Sequence, residues 1–204
     1  MRNPDYVRDT APPLPDARDP MELISALLSR GANPNAQANT TPFRGFMQVS
    51  ANWANFDGQT PFLRAALSGD VTLMRLLLDH GADPNLKTAD GATPLMAVAG
   101  VNWVVAQTFS RSDNEYLEAA KLCLERGNDV NAVNSQGFTA MHGAANRGFD
   151  AMVKLLAERG ARLDVKDKQG RTPMTFAEGV FLAVQPPVRK PTTIALLQQL
   201  AGKP

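Results

Sequence analysis

Cysteine and histidine are scarce in this chain, and their scarcity limits the chemistry it can support. Cys123 is the single cysteine in 204 residues, so the chain forms neither an internal disulfide nor a cysteine-rich metal site. It lies in an apolar helical stretch, where we expect a buried thiol. His80 and His142 are far apart in sequence and share no metal-ligand spacing. The sequence also has no glycine-rich phosphate loop and no nucleophile motif, so we expect no catalytic residue, no metal and no cofactor.

An excess of charge of one sign and long apolar runs are missing too. The chain has 21 Lys and Arg against 20 Asp and Glu, a net charge of +1, so no overall field attracts nucleic acid or an anionic membrane. No stretch approaches the roughly 20 apolar residues of a membrane span, and the first residues have no signal-peptide core. These absences predict no nucleic-acid partner, no membrane partner and a cytoplasmic location, with an exported mature form as the open alternative.

What the sequence does have is a repeat marked by glycine. The stretches "LLSRGANPN", "LLLDHGADPN", "CLERGNDVN" and "LAERGARLD" each place a glycine where a helix ends: Gly31, Gly81, Gly127 and Gly160. Such a position needs a positive φ, which glycine adopts readily. Gly127 and Gly160 are 33 residues apart, and the wider spacings before them indicate insertions into a 33-residue unit. A second series of glycines has the same period: Gly58, Gly91, Gly137 and Gly170.

After each glycine of the second series, a helix begins in the same way. A threonine that can cap the helix precedes a proline at the first helical position, as in Thr60-Pro61, and small alanines follow. The period, this "TPLH"-like helix start and the "LL…GA" helix end together resemble the ankyrin repeat. The family's histidine is kept only at His142; Leu63, Met96 and Thr175 replace it in the other units.

The resemblance implies an all-α ankyrin-repeat solenoid with about four repeats plus an N-terminal half repeat. First helices would line the concave side, second helices the convex side, and the turns between repeats would project as fingers. We expect residues 1–19 to form a proline-rich arm and residues 20–204 a single domain. The apolar stripe that includes Leu23 and Leu27 predicts that the helix of the half repeat has one buried face.

Three lengthened loops, at 36–57, 100–114 and 179–191, interrupt the repeat. The first contains Trp53 and lies on the finger side. Loops carry function more often than scaffold residues do, and aromatic side chains supply large contact areas. Two interpretations stay open for this loop, because its aromatics can contact a partner or cover the exposed end of the half repeat.

The other two long loops flank a short connection between helices. Trp103 lies in one and Phe181 in the other, and the short connection carries Asn146 and Arg147. We expect a notch with Asn146 and Arg147 as its floor and the two aromatics as its walls. The alternative is that the apolar loop residues pack on one another as a local core.

The function that these features predict is binding of another protein, without enzymatic activity. The concave face would contribute Gln59, Arg64 and Ser68, and the finger loops and inserted aromatic loops would contribute further contacts. We expect a monomer or a subunit of a hetero-complex. The alternative is a structural or tethering domain of a larger assembly, exported or redox, or of a longer enzyme.

Overall fold

The computed structural model describes residues 19–38, 57–101, 111–182 and 186–202. The chain divides into two compact units, residues 1–33 and residues 34–204. The expected arm at 1–19 and single domain at 20–204 stay predictions.

The first unit contains helix α1, Pro20–Ser29. Asp19 caps it, because its carboxylate accepts a hydrogen bond from the Met21 N–H at 2.9 Å, and Pro20 occupies the first helical position. None of the ten residues of α1 is buried, and Leu23 and Leu27 are 50% and 51% exposed. The predicted buried face is therefore wrong for Leu23 and Leu27, whereas Ile24 and Leu28 of the same predicted stripe are half-buried.

The second unit is a stack of helix pairs. Its helices are α2 Pro61–Leu67, α3 Val71–Asp79, α4 Pro94–Ala99, α5 Asp113–Glu125, α6 Ala140–Arg147, α7 Asp150–Glu158, α8 Pro173–Gly179 and α9 Pro191–Ala201. First helices α2, α4, α6 and α8 pack in sequence against one another, second helices α3, α5, α7 and α9 do the same, and each first helix packs on its own second helix. This arrangement confirms the four predicted helix pairs as a two-layered α-solenoid.

Threonine caps set the starts of α2, α4 and α8, as the sequence predicts. The side-chain oxygens of Thr60 and Thr93 accept the backbone N–H three residues on, at 3.2 Å in both cases. The glycines that end the second helices all have positive φ, from 83° at Gly81 to 90° at Gly31. These ends and starts are encoded locally, so they follow from the sequence directly.

His142 gives α6 a different start. Its Nδ1 accepts from the backbone N–H of Thr139 at 3.1 Å, so the ring proton lies on Nε2, which donates to the carbonyl of Arg171 in the next repeat at 3.3 Å. Burial lowers the pKa of this fully buried imidazole, although the hydrogen bond to Arg171 and the charge of Asp167 oppose that effect. In the next repeat, Thr175 Oγ1 takes the same acceptor role toward the N–H of Thr172.

Asparagines and backbone bonds join the turns of successive repeats. Asn35 donates to the carbonyl of Gly81 and accepts from the N–H of Asp83, and Asn131 donates in the same way to the carbonyl of Gly160. The fingers are linked by backbone bonds from Ala89 to Asp57, from Ser135 to Asp90 and from Lys168 to Gln136. Each repeat is therefore tied to its neighbour on the finger side.

Candidate functional site

The connections between first and second helices form one surface of the second unit. We call it the connection edge; it comprises residues 68–70, 100–101, 111–113, 147–149, 179–182 and 186–190. Its parts lie in contact: a Cβ built on Gly100 would lie 3.5 Å from Cβ of Arg147, and one built on Gly148 would lie 2.9 Å from Cδ of Lys190. Both glycines have positive φ, which lets the chain turn sharply between helices. The connections are thus braced against their neighbours.

Arg111 links the starts of two helices on this edge. Its guanidinium lies 2.6 Å from the carboxylate of Asp70, at the start of α3, and 3.1 Å from Glu115 in α5. Ser112 caps α5, and the carboxylate of Glu115 accepts a hydrogen bond from the Ser112 N–H, which completes a capping box. These contacts fix the start of α5 beside α3.

Arg147 is held within the fold rather than displayed. Its guanidinium carbon lies 4.2 Å from the centre of the Tyr116 ring and 4.9 Å from that of Phe149, and its Nη2 lies 3.3 Å from Asp113. The side chain is only 10% exposed, so Arg147 offers little surface as a floor of the expected notch. Burial lowers the pKa of this arginine from its ordinary value. Its neighbour Asn146 is half-buried.

Phe181 and Val188 are the most exposed large apolar side chains among the described residues. They are 65% and 54% exposed, and both belong to the connection between α8 and α9. A Cβ on Gly179 would lie 3.3 Å from the backbone nitrogen of Val188, so the two arms of this connection touch. The N–H of Lys190 also bonds to the carbonyl of Ala177 at 2.8 Å, which anchors the connection to α8. Two exposed apolar side chains thus lie on a connection that is anchored to α8.

The first-helix layer offers less surface than the sequence predicts. All six residues of α4 are buried, and so are the first six residues of α6. Arg64 on α2 is exposed and Ser68 at its end is half-buried, but Gln59 is only 7% exposed. Gln59 therefore presents little side chain to a partner.

Two residues important to the geometry were missed from the sequence. Gly143 lies inside α6, and a Cβ there would be 2.5 Å from the backbone nitrogen of Val101, so the chain leaving α4 crosses α6 at this point. Asn128 is buried where other repeats have alanine; it donates to the carbonyl of Pro84 and accepts from the N–H of Leu95. The sequence signals that could have revealed them were the glycine in a helix interior at position 143 and the asparagine at position 128, where the other repeats have alanine.

Two predicted contact residues, Trp53 and Trp103, lie outside the described residues. The notch and the first aromatic loop therefore stay predictions.

Cys123 is buried as predicted, and burial raises the pKa of its thiol. Among the described residues, His, Cys, Asp and Glu do not gather in a group of three able to hold a metal. Within the same residues, the helices are too short or too polar to cross a membrane.

The capped, stacked helix pairs place the chain in the class of α-helical repeat proteins. Residues 44–95 match a family described as ankyrin repeats (many copies), and residues 108–180 match ankyrin repeats (3 copies). The chain is 33% identical over 115 residues to the rat protein named cyclin-dependent kinase 4 inhibitor B, covering 56% of this chain and 78% of that protein. The chain belongs to the ankyrin-repeat family.

Two longer relatives show the same similarity over a small part of their length. The human ankyrin repeat and KH domain-containing protein 1 is 34% identical over 116 residues, which are 56% of this chain and 4% of that protein. The Arabidopsis thaliana E3 ubiquitin-protein ligase KEG is 29% identical over 167 residues, which are 78% of this chain and 8% of that protein. The chain thus spans less than a tenth of either relative.

Proposed function

We propose that this chain is a protein-binding module without enzymatic activity, and that its partner is another protein bound at the connection edge. The observation that carries the proposal is the exposure of Phe181 and Val188 on a braced connection. Aromatic side chains that remain exposed on a fixed backbone bind at low entropic cost. Ankyrin repeats typically mediate protein interactions, and the rat relative is named as an inhibitor of a kinase.

The burial of the first-helix layer supports this choice of surface. A partner on the concave side would find α4 covered and would reach mainly Arg64 and Ser68 on α2. We retain these two residues, with Asn146, as polar contacts beside the apolar anchor. We also retain Trp53 and Trp103 as contact residues. Gln59 and Arg147 complete the proposed set as buried side chains that support the neighbouring contact residues.

A structural or tethering role is the second candidate. It is favoured by the long relatives, in which similar repeats occupy only 4% and 8% of the protein. In that case the connection edge would bind another part of the same assembly, and the surface chemistry would be unchanged.

Site-specific photo-crosslinking tests the proposal. A benzophenone amino acid replaces Phe181 in one variant and Val133 in another; Val133 is 51% exposed on the finger side and serves as the matched control. In the source cells we expect a discrete protein adduct from position 181 that Val188→Asp removes, and none from position 133. An adduct from position 133 alone, or no adduct from either position, would refute binding at the connection edge.

A further inference from the structure

The first unit carries an apolar surface that its equivalents in the second unit bury. Aligned on the glycines that end the second helices, Leu27 of α1 corresponds to Leu77, Cys123 and Leu156. Those three side chains are buried, and the helices that carry them pack on the first helices of their own repeats. Leu27 and Leu23 are half exposed instead. A cover for this face is therefore to be expected.

The exposed residues of α1 follow one face of the helix. Asp19, Leu23, Ala26 with Leu27, and Arg30 recur at the three- and four-residue spacing of a single helical stripe, and all are exposed. The stripe is acidic at its start, apolar in its middle and basic at its end. Such a stripe is complementary to itself when it is reversed.

We infer that a second copy of this chain covers this face, with the two α1 helices antiparallel about a two-fold axis near Ala26. Antiparallel pairing brings the acidic end of one helix, Asp19 and Glu22, beside Arg30 of the second copy. The leucines lie on both sides of the axis, and the small Ala26 lets the helices approach closely. Within the described residues neither Glu22 nor Arg30 forms an ion pair, so both are available.

The size of the surface makes this a weak association. A ten-residue helix is about 15 Å long, and one of its faces buries less than the roughly 800 Å² per partner of a stable interface. We therefore expect a dissociation constant on the order of tens of micromolar. This inference does not rest on the proposed function, because the connection edge belongs to the second unit.

Sedimentation velocity over concentrations that bracket the expected constant tests the dimer. Leu27→Lys is expected to raise the dissociation constant at least about tenfold by placing a charge in the apolar centre. Val133→Lys, at a side chain of equal exposure in the second unit, is expected to leave it unchanged. Since none of the residues of α1 is buried, Leu27→Lys keeps the fold, and circular dichroism checks the helix content.

Disulfide trapping tests the antiparallel geometry. Under oxidation, Ala26→Cys near the two-fold axis is expected to form a covalent dimer, whereas the exposed Ser29→Cys, off the stripe and away from the axis, is not. A protein that stays monomeric at every concentration overturns the inference and leaves the face to another protein or to the first aromatic loop, which the sequence offers as the other cover. A dimer insensitive to Leu27→Lys, or equal trapping at both cysteines, overturns it as well.

Discussion

Gly143 occupies the interior of α6, where a glycine costs about 1 kcal/mol of helix stability relative to alanine. The structure explains why glycine occupies this position despite the loss of helix stability. The chain leaving α4 crosses α6 here, and a Cβ would lie 2.5 Å from the nitrogen of Val101 and 2.9 Å from the carbonyl carbon of Gly100. Both are backbone atoms, which cannot rotate away. The glycine is thus required by a contact between repeats.

We predict that Gly143→Ala destabilises the protein by about 1–2 kcal/mol, because the steric penalty exceeds the gain in helix propensity. Urea denaturation measures the change in the free energy of unfolding. Gly202→Ala is the matched control, since that glycine has a φ of −86° and its nearest atom would lie 3.5 Å from the new Cβ. Equal stability of wild type and Gly143→Ala would show that the crossing chain gives way.

At the level of elements, Arg147 joins α5, α6 and α7 through its two aromatic contacts and Asp113. The aromatic contacts are buried, whereas the side chain of Asp113 is 71% exposed. We therefore expect the stacking to matter more than the ion pair. Arg147→Ala should destabilise the protein by about 2 kcal/mol, through lost stacking and lost packing of its stem.

The companion variant separates the two contributions. Asp113→Asn removes the charge of an exposed partner and should cost less than about 1 kcal/mol. Chemical denaturation of both variants at low and high salt gives the comparison. The greater weight of stacking is contradicted if Asp113→Asn is as costly as Arg147→Ala, or if added salt abolishes the effect of Arg147→Ala.

The elements also show which features a sequence can predict. Helix starts at Thr60 and Thr93, and the glycine ends, depend on neighbours within a few residues, so they were predicted correctly. The burial of Arg147 depends on Tyr116, which is 31 positions away in the chain, and the close approach at Gly143 depends on Val101. The exposure of Leu23 and Leu27 likewise runs against their apolar character, which is all that the local sequence offers. Contacts of this kind follow from the assembled stack, which no local pattern encodes.

Across the whole molecule, burial is uneven, and stability should follow it. In a stack of repeats each unit is stabilised mainly by its neighbours, so internal repeats resist opening more than terminal helices do. All six residues of α4 are buried, three residues of α9 are, and none of α1 is. Isolated helices as short as α1 have only marginal stability in water.

We predict that hydrogen exchange follows the same order in dilute protein. Backbone amides of α1 should open with free energies on the order of 1 kcal/mol or less, those of α9 should be intermediate, and those of α4 and α6 should exchange only through global unfolding. Exchange measured by mass spectrometry on peptides covering each helix resolves these groups. Adding denaturant should change the exchange of α4 strongly and that of α1 less, because α1 has no buried residue to expose when it opens. Equal protection of α1 and α4 in dilute protein would mean that α1 is stabilised by contacts its exposed side chains do not show.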